Sequence, residues 1–226
     1  MTIRAKTLVE SSYNRLRSDI IAGKLAPGSK LRIEELRGEY KIGASPLREA
    51  LNRLAGEGFV TVEEQRGFSV APVSPDDLRD LSGMRVMLEC EALRESIRNG
   101  GDEWEANLVA SHHRLQKAEQ SFGKDLVEWE QRNDEFHEAL LAACPSSWLL
   151  RLRHVLYEQH KRYRFIAILS QQEGRDVHRE HRDILEATLA RDIKAACRAT
   201  ELHIQYTMES SIRVFADLEK DTPISA

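Results

Sequence analysis

The stretch from Ile42 to Val60, IGASPLREALNRLAGEGFV, constrains the fold of this chain more than any other. Its apolar residues recur at the spacing of one buried helix face. They are Leu47, Ala50, Leu51 and Leu54. Ser45 stands where a side chain can cap the helix, and Pro46 suits the first turn, where its missing N–H leaves no hydrogen bond unmade. We therefore expect a short helix here, ended by the glycines that follow.

Two arginines lie off the apolar face of this helix. Arg48 and Arg53 project from its opposite side. A second short helix is predicted just before it, with Ile33, Leu36 and Tyr40 turned inward. A capped helix with exposed arginines that follows another short helix is typical of a protein that reads the DNA major groove. The alternative is that both arginines are solvated surface charges.

The head of the chain shows a complete pattern of three helices and a hairpin. Helices are predicted over residues 7–23, 33–40 and 45–57. The β-prone runs at residues 59–62 and 68–71 flank Gly67, which can take the positive φ that a tight hairpin requires. This order predicts a winged helix-turn-helix over residues 1–73, with Arg66 at the tip of the β-hairpin wing.

Charge is distributed unevenly along the chain. The formal net charge is −4, which excludes a general basic field that would draw the whole molecule onto nucleic acid. Residues 1–72 hold twelve Lys and Arg against nine Asp and Glu, whereas the remainder is acidic. A mildly basic head on an acidic body indicates that only the head meets phosphate, although an excess this small is also ordinary scatter.

Three segments of the head resemble one family. IIAGKLAPGSKL, ASPLREALNRLAGEGFV and RGFSVAPVS are similar to the DNA-binding domain of the GntR family of bacterial transcription regulators. The resemblance implies that Arg48 reaches base edges or phosphate and that Ser45 offers its hydroxyl to phosphate. Gly43 and Ala44 stand where the family usually has serine and arginine, so we expect one DNA contact to be lost. The full set predicted to face DNA is Ser45, Leu47, Arg48, Arg53, Arg66 and Gly67.

From Ser74 onward the composition changes and β-prone alternation almost disappears. Helices are predicted from Ser74 to about Ile97 and over residues 102–122, 125–143, 147–169, 174–190 and 192–215. Six helices without strands predict an antiparallel α-helical bundle over residues 74–226, so the fold class of the whole chain is mainly α. At 226 residues the chain is long enough for two domains of this kind.

Four polar residues occupy the expected inward faces of the body helices. Asn133 and His137 are four residues apart, which stacks them on one helix face. His181 and His203 lie on the inward stripes of the last two helices. Three imidazoles and one amide are a ligand set for a divalent transition metal, with zinc or nickel favoured. On the residues alone, three separately hydrogen-bonded core histidines are the favoured interpretation.

The body also resembles a family. Arg85 and Glu89 match the Arg-x-x-x-Glu pattern of the FadR-type effector domain, the FCD domain, that follows the winged helix in one GntR subfamily. Residues 133–137 and 180–185 match its Asp-x-x-Phe-His and Glu-His-x-x-Ile-Leu patterns. The resemblance implies a divalent metal in the bundle cavity, with the effector against it. The implied metal ligands are Asn133, His137, His181 and His203.

For two residues of this implied site, Asn133 and Arg85, the sequence allows an alternative to the implied role. Asn133 occupies the position of the family's aspartate, and because an amide is a neutral and poorer donor we expect weaker metal retention and a stronger pull on an anionic effector. Asp134 is the alternative ligand, about 100° around the helix from Asn133. Arg85 is predicted to bind an effector carboxylate in a bidentate manner, and an ion pair with Glu89 is an equally weighted alternative.

The remaining histidines and the cysteines are not assigned to a site. Solvated faces are predicted for His112, His113, His154, His160 and His178. The cysteines, Cys90, Cys144 and Cys197, are odd in number and lack CxxC spacing. This argues for small core residues in a reducing compartment and against a disulfide framework. There is no secretory N-terminus and no apolar run of about 18 residues, so we expect a cytoplasmic protein without a membrane partner.

These patterns favour a ligand-responsive transcription regulator over an enzyme. A homodimer would read a palindromic operator in double-stranded DNA, with one winged helix on each half-site. The resemblance implies a repressor controlled by a small organic or sugar acid. One alternative is a metal sensor, in which the metal itself is the signal. Another is a metal-dependent hydrolase, because three His ligands with an open position can activate water, but the inward faces offer no convincing general base.

Overall fold

The computed structural model describes residues 8–63, 67–120, 125–169 and 175–221. Within these ranges the helices are α1 Leu8–Ile21, α2 Ile33–Tyr40, α3 Ala44–Gly56, α4 Pro75–Asn99, α5 Asp102–Gln120, α6 Leu126–Leu141, α7 Ser147–Leu169, α8 Val177–Leu189 and α9 Ile193–Asp221. The strands are β1 Lys30–Leu31, β2 Val60–Glu63 and β3 Gly67–Val70. The predicted mainly α class, a winged helix-turn-helix followed by a helical domain, is confirmed.

The wing is part of a three-stranded antiparallel sheet in the order β1-β3-β2. The predicted hairpin corresponds to β2 and β3, with Val60 opposite Val70. Gly67 opens β3 with a φ of +86°, the left-handed region that favours glycine. Strand β1 pairs Lys30 with Ser69 and was missed, because two residues are too short for any periodicity to show. Arg66 lies outside the described residues.

The helix α3 differs from the prediction at its start. It begins at Ala44 with Gly43 as the N-cap, and no side chain bonds to the cap among the described residues. The extended backbone that precedes a helix falls at Gly43, with φ −65° and ψ 158°, so the chain is already helical at Ser45. The prediction of Ser45 as the N-cap is therefore wrong, and this serine is an exposed first-turn residue.

The apolar face of α3 packs into the core of the winged helix. Its four apolar residues, Leu47, Ala50, Leu51 and Leu54, have no exposed surface. They belong to one cluster with Tyr13, Leu16, Ile20, Leu31, Leu36, Tyr40, Phe59, Val60 and Val70. Burying a leucine is worth about 1.5–3 kcal/mol, so this single helix face supplies a large share of the stability of the head.

The chain divides into two compact units that do not follow a single cut in the sequence. The first unit combines Met1–Leu78 with Glu158–Gln171 and Ser211–Ala226. The second combines Arg79–Tyr157 with Gln172–Ser210. The long helices α4, α7 and α9 each contribute to both units. The predicted domain boundary after residue 73 stays a prediction.

Within the first unit, the C-terminal part of α7 hydrogen-bonds to the backbone of the winged helix. Gln159 Nε2 donates to the carbonyl oxygen of Glu57 at 2.6 Å, directly after α3. Arg162 Nη2 donates to the carbonyl oxygen of Ala71 at 2.5 Å, directly after β3. Carbonyl groups at the ends of helices lack partners in their own helix, and α7 supplies hydrogen-bond donors to two carbonyl groups of the winged helix.

The second unit is built on α5, α6 and α8, with parts of α4, α7 and α9. Helices α6 and α8 begin at aspartate N-caps, Asp125 and Asp176, each of which accepts from a backbone N–H at 2.9 Å. Trp104 Nε1 donates to the carbonyl oxygen of Ala139 and ties α5 to α6 at 2.8 Å. Tyr206 of α9 is 42% exposed.

Membrane insertion is tested by the length and polarity of the helices. In the described ranges, none of the helices is both long enough and apolar enough to cross a bilayer.

Candidate functional site

Three histidines from three helices meet inside the second unit. His137 of α6, His181 of α8 and His203 of α9 are all buried. Each offers one ring nitrogen, and these three nitrogens lie within 4.8 Å of one another. The ring centroids of His181 and His203 are 4.8 Å apart, and that of His137 is 5.1 Å from His203. The predicted inward orientation of the three imidazoles is confirmed.

Carboxylates fix the orientation of two of these rings. Glu119 Oε1 lies 2.7 Å from His181 Nδ1, and Glu180 Oε2 lies 2.8 Å from His203 Nδ1. Because a carboxylate accepts hydrogen bonds, Nδ1 must carry the proton in both rings. The neutral ring then keeps its lone pair on Nε2. Nε2 of His181 and Nε2 of His203 can thus accept a hydrogen bond or bind a metal ion.

Two ring nitrogens of the three histidines have no hydrogen-bond partner among the described residues. Nε2 of His137 and Nε2 of His181 are buried and form no hydrogen bond with any part of the chain that the structure describes. A buried polar atom without a partner is costly and uncommon in folded proteins. The three rings therefore fit a shared cation, since one ion would satisfy these nitrogens at once.

The surroundings lower the pKa of two of the three histidines, His137 and His203. Burial lowers the pKa of His203 to about 3, against the opposing effect of Glu180. Burial, followed by the neighbouring His203 and His181, lowers the pKa of His137 well below its ordinary value. Burial alone would raise the pKa of Glu180, but Arg175 and His203 bring it down to about 2. At neutral pH, His137 and His203 are thus neutral, and the neighbouring carboxylates Glu119 and Glu180 are ionised.

The fourth predicted ligand lies on the same face of α6. Asn133 is buried, and its Nδ2 donates to the Tyr157 hydroxyl at 3.1 Å. Since Tyr157 takes the amide nitrogen, the amide oxygen is the atom left for a ligand. The alternative, Asp134, accepts from the Tyr157 hydroxyl at 2.8 Å and is not part of the three-histidine group. Asn133 as a ligand remains a prediction.

Two buried arginines lie beside the histidines. Arg85 places Nε at 2.9 Å and Nη2 at 2.6 Å from Glu89 Oε1, so the structure shows the intrahelical ion pair that was the alternative to effector binding. Arg153 of α7 is only 3% exposed, and its Nε is 3.4 Å from the same carboxylate oxygen. Its Nε and Nη2 make no hydrogen bond among the described residues.

Sequence reasoning missed Arg153, Glu119 and Glu180 as members of this site. Arg153 stacks on the ring of Tyr157 at 4.1 Å, four residues further along α7. That spacing was the available signal, since it puts an arginine and an aromatic residue on one helix face. Around Glu89, two guanidinium groups share one carboxylate, so this side of the site carries a local positive charge that suits an anion.

The surface predicted to face DNA lies in the first unit. Ser45 and Arg48 are exposed on α3. Arg48 lines a groove of about 380 Å³ together with Lys30, Arg32 and Gly67. Three cations around one groove between α3 and the wing suit contact with phosphate.

Two members of the predicted DNA set have other contacts. Leu47 is fully buried in the winged-helix core, so its assignment to the DNA surface is wrong. Arg53 is 3.0 Å from Glu10 and 3.5 Å from Glu57, and it stacks over the ring of Tyr13 at 3.7 Å. The structure thus shows an intramolecular role for Arg53, while DNA contact by this residue remains a prediction.

The other histidines divide into exposed, half-buried and buried residues. His178 is half-buried, and its Nδ1 lies 2.6 Å from Glu119 Oε2, so its assignment to a solvated face holds only in part. His113 and His154 are exposed as predicted. His112 and His160 are buried, so their assignment to solvated faces is wrong. His112 packs edge-on against the ring of Phe136 at 5.4 Å, which shows that α5 turns this polar position toward α6.

Sequence comparison identifies the family to which this architecture belongs. Residues 8–70 match bacterial regulatory proteins of the gntR family, and residues 80–206 match the FCD domain. The chain belongs to the GntR family of regulators that carry an FCD domain. It is therefore a DNA-binding transcription regulator and not an enzyme, which excludes the hydrolase alternative.

Two relatives cover most of this regulator. BphR of Paraburkholderia xenovorans strain LB400, an HTH-type transcriptional regulator, is 44% identical over 213 residues, which span 92% of this chain and 85% of that protein. GlaR of Escherichia coli strain K12, an HTH-type transcriptional repressor, is 40% identical over 202 residues, or 87% of this chain and 90% of that protein. The likeness extends through both domains.

Solved structures have the same fold. McbR/YncC of E. coli superimposes with a TM-score of 0.78 at 21% identity, covering 92% of this chain and 99% of that chain. A GntR family member from Pseudomonas syringae pv. tomato strain DC3000 gives a TM-score of 0.55 at 26% identity, covering 96% of this chain and 90% of that chain.

Proposed function

We propose that this regulator is a homodimeric repressor that leaves a palindromic operator when a small organic or sugar acid binds a metal-containing cavity in its FCD domain. One observation carries the proposal. Three buried imidazoles converge within 4.8 Å, and two of their inner nitrogens are unpaired among the described residues. A buried arginine with unused hydrogen-bond donors accompanies them.

The metal would be held by His137, His181 and His203, with Asn133 as the fourth ligand. Neutral imidazoles with neighbouring carboxylates are the usual environment of a divalent transition metal, and zinc or nickel suits this donor set. When bound, the ion supplies a Lewis acid that a carboxylate can coordinate. With Asn133 in place of a carboxylate, the protein neutralises none of the charge of the ion through direct ligands.

The role of Arg153 is to orient the acid. Its Nε and Nη2 form the planar edge that pairs with a carboxylate in a bidentate manner. Arg85 already uses these two atoms on Glu89. We therefore assign the first contact with the effector to Arg153, and Arg85 becomes the residue that holds Glu89 in place.

The DNA-binding role follows from the head. Arg48 and Lys30 would contact the phosphates or base edges of one half-site. Repression is supported by the relative GlaR, which is named a repressor. An acid can change the affinity of the protein for the operator only if the acid itself binds the DNA-bound and the DNA-free protein with different affinities.

Operator release tests the proposal. The affinity of zinc-loaded protein for a labelled fragment of its own promoter is measured by fluorescence anisotropy with gluconate, lactate, malate and succinate. We expect one acid to weaken binding at least tenfold in the wild type and in Arg151→Gln, an exposed neighbour. Arg153→Gln should bind DNA normally and ignore that acid. An equal response of Arg153→Gln would remove this arginine from the effector site.

The assignment of the fourth ligand has its own test. Asn133→Asp should bind zinc more tightly than the wild type, because a carboxylate replaces a neutral donor, whereas Asn133→Ala should bind it more weakly. Asp134→Ala should change zinc affinity little. If Asp134→Ala abolished binding and Asn133→Ala left it unchanged, Asp134 would be the ligand.

A metal sensor is the second candidate. It is favoured by the hydrogen bonds from His181 and His203 to Glu119 and Glu180, because these orient both rings through groups of the protein itself. If chelation abolished operator binding and none of the acids changed it, the metal itself would be the signal.

A further inference from the structure

Two cysteines face each other across α4 and α9. Cys90 Sγ lies 3.5 Å from the carbonyl oxygen of Cys197, and Cys197 Sγ lies 3.5 Å from the carbonyl oxygen of Cys90. Such reciprocal contacts place both side chains in the same gap between the helices, although the residues are 107 positions apart in sequence.

Access and reactivity distinguish this pair from the third cysteine. Cys90 and Cys197 are each half-buried, whereas Cys144 is buried. The neighbouring Cys90 thiol, together with Arg94, lowers the pKa of Cys197 to about 7 against the opposing effects of burial and Glu91. Cys197 therefore forms its thiolate, the nucleophilic form, more readily than an ordinary cysteine.

We propose that Cys90 and Cys197 form a reversible disulfide in response to peroxide. The Cys197 thiolate attacks one peroxide oxygen, so that an S–O bond forms, the O–O bond breaks and hydroxide leaves to become water. The Cys90 sulfur then attacks the resulting sulfenic acid, an S–S bond forms, and a second water leaves. In total, two thiols lose two electrons and two protons, and hydrogen peroxide is reduced to two waters.

A disulfide requires the two sulfurs to approach to a covalent S–S length of about 2.0 Å. Each Sγ already reaches the backbone of the opposite residue, so side-chain rotation supplies most of the movement. In a reducing compartment the resting state is the dithiol, and disulfides that form there are usually transient and redox-sensing.

The cross-link would bear on the histidine site. Cys90 directly follows Glu89, the partner of both buried arginines, and Cys197 lies on the same helix as His203. A disulfide between α4 and α9 would restrict the movement of the two helices that carry these groups. Formation of the disulfide does not depend on the proposed function, so the two can fail separately.

Thiol counting on the full-length protein tests the proposal. Reduced, metal-free protein is exposed to a small molar excess of hydrogen peroxide, and free thiols are titrated under denaturing conditions. We expect the count to fall from three to one in the wild type and from two to none in Cys144→Ser. Non-reducing peptide mapping should show one peptide pair that joins Cys90 to Cys197, and dithiothreitol should restore all thiols.

The single variants give the order of events. Cys90→Ser should keep a sulfenic acid on Cys197 that dimedone traps, because the resolving thiol is absent. Cys197→Ser should keep both of its remaining thiols at the same peroxide dose. Three intact thiols in the wild type, a cross-link that includes Cys144, or a disulfide between two chains would each overturn the proposal.

Discussion

At the scale of single residues, two carboxylates determine which nitrogen the histidines offer. Glu119 and Glu180 hold the protons of His181 and His203 on Nδ1 and turn Nε2 toward the common centre. Glu180 is itself fixed by Arg175, whose Nε and Nη2 lie 2.8 and 2.6 Å from its two oxygens. The ligand set is therefore supported by a second layer of charged residues.

Removing one supporting charge should weaken metal binding without removing a ligand. Glu180→Gln should lower zinc affinity about 10–100-fold, since loss of such partners typically has this effect. Glu138→Gln is the matched control, because Glu138 is an exposed carboxylate on the same unit, with 62% of its side chain accessible. Competition with a chromophoric chelator gives both affinities. Equal affinity in the two variants would show that Glu180 does not support the site.

Arg48 gives a second test at this scale. Arg48→Ala should weaken operator binding and reduce the slope of log affinity against log salt by about 1, as expected for one lost phosphate contact. Arg37→Ala on α2 is the control, since Arg37 is also exposed but pairs with Glu34 at 2.7 Å. Anisotropy titrations over a salt series report both quantities. If the two variants lost affinity to the same degree, Arg48 would have no special role on DNA.

At the scale of elements, helix α3 combines a structural face and a DNA-facing side. The buried face of α3 could be predicted from the sequence because its apolar residues recur at a regular helical spacing. These residues are Leu47, Ala50, Leu51 and Leu54. That spacing also shows why Leu47 is a core residue and not a DNA contact. The capping residue was harder to place, because Gly43 needs no side chain to act as an N-cap.

Truncating this face should destabilise the winged helix. Leu47→Ala should lower the free energy of unfolding by about 2–5 kcal/mol, as buried leucine truncations do. Leu152→Ala on α7 is the control, because Leu152 is 54% exposed, and it should change stability by less than about 0.5 kcal/mol. Urea denaturation measures both. A small effect of Leu47→Ala would mean that the core tolerates the cavity.

Parts of the functional site were beyond sequence reasoning for a physical reason. The three histidines were found because each interrupts an apolar helix stripe. Three charged residues of the site were missed, namely Glu119, Glu180 and Arg153. A charged residue on a helix is predicted to be solvent-exposed until the packing of the neighbouring helices is known. The convergence of His137, His181 and His203 depends on the register of three helices, which no local pattern encodes.

At the scale of the whole molecule, folding buries neutral rings that the unfolded chain can protonate. The folded pKa of His203 is about 3 against an ordinary value of 6.5, and His137 is also lowered. Between these two pH values the unfolded chain binds protons that the folded chain excludes. The stability of the metal-free protein is therefore full above about pH 6.5 and declines as the pH falls.

This linkage predicts a measurable pH dependence. From pH 7 to pH 5, the free energy of unfolding of the metal-free protein should fall by about 2 kcal/mol through His203 alone. His203→Gln should show a weaker dependence, because the substituted side chain does not titrate. Urea unfolding of chelator-treated protein at the two pH values measures the difference. Identical pH dependence in both proteins would contradict burial of a neutral His203.

The metal content of the purified full-length protein tests the central claim most directly. After equilibration with zinc and removal of excess metal, elemental analysis should find one ion per chain in the wild type and in His113→Ala, an exposed-histidine control. His181→Ala should retain less than about a tenth of that amount. Equal metal content in His181→Ala and His113→Ala, or no metal in the wild type, would contradict the claim that the three buried imidazoles hold one ion.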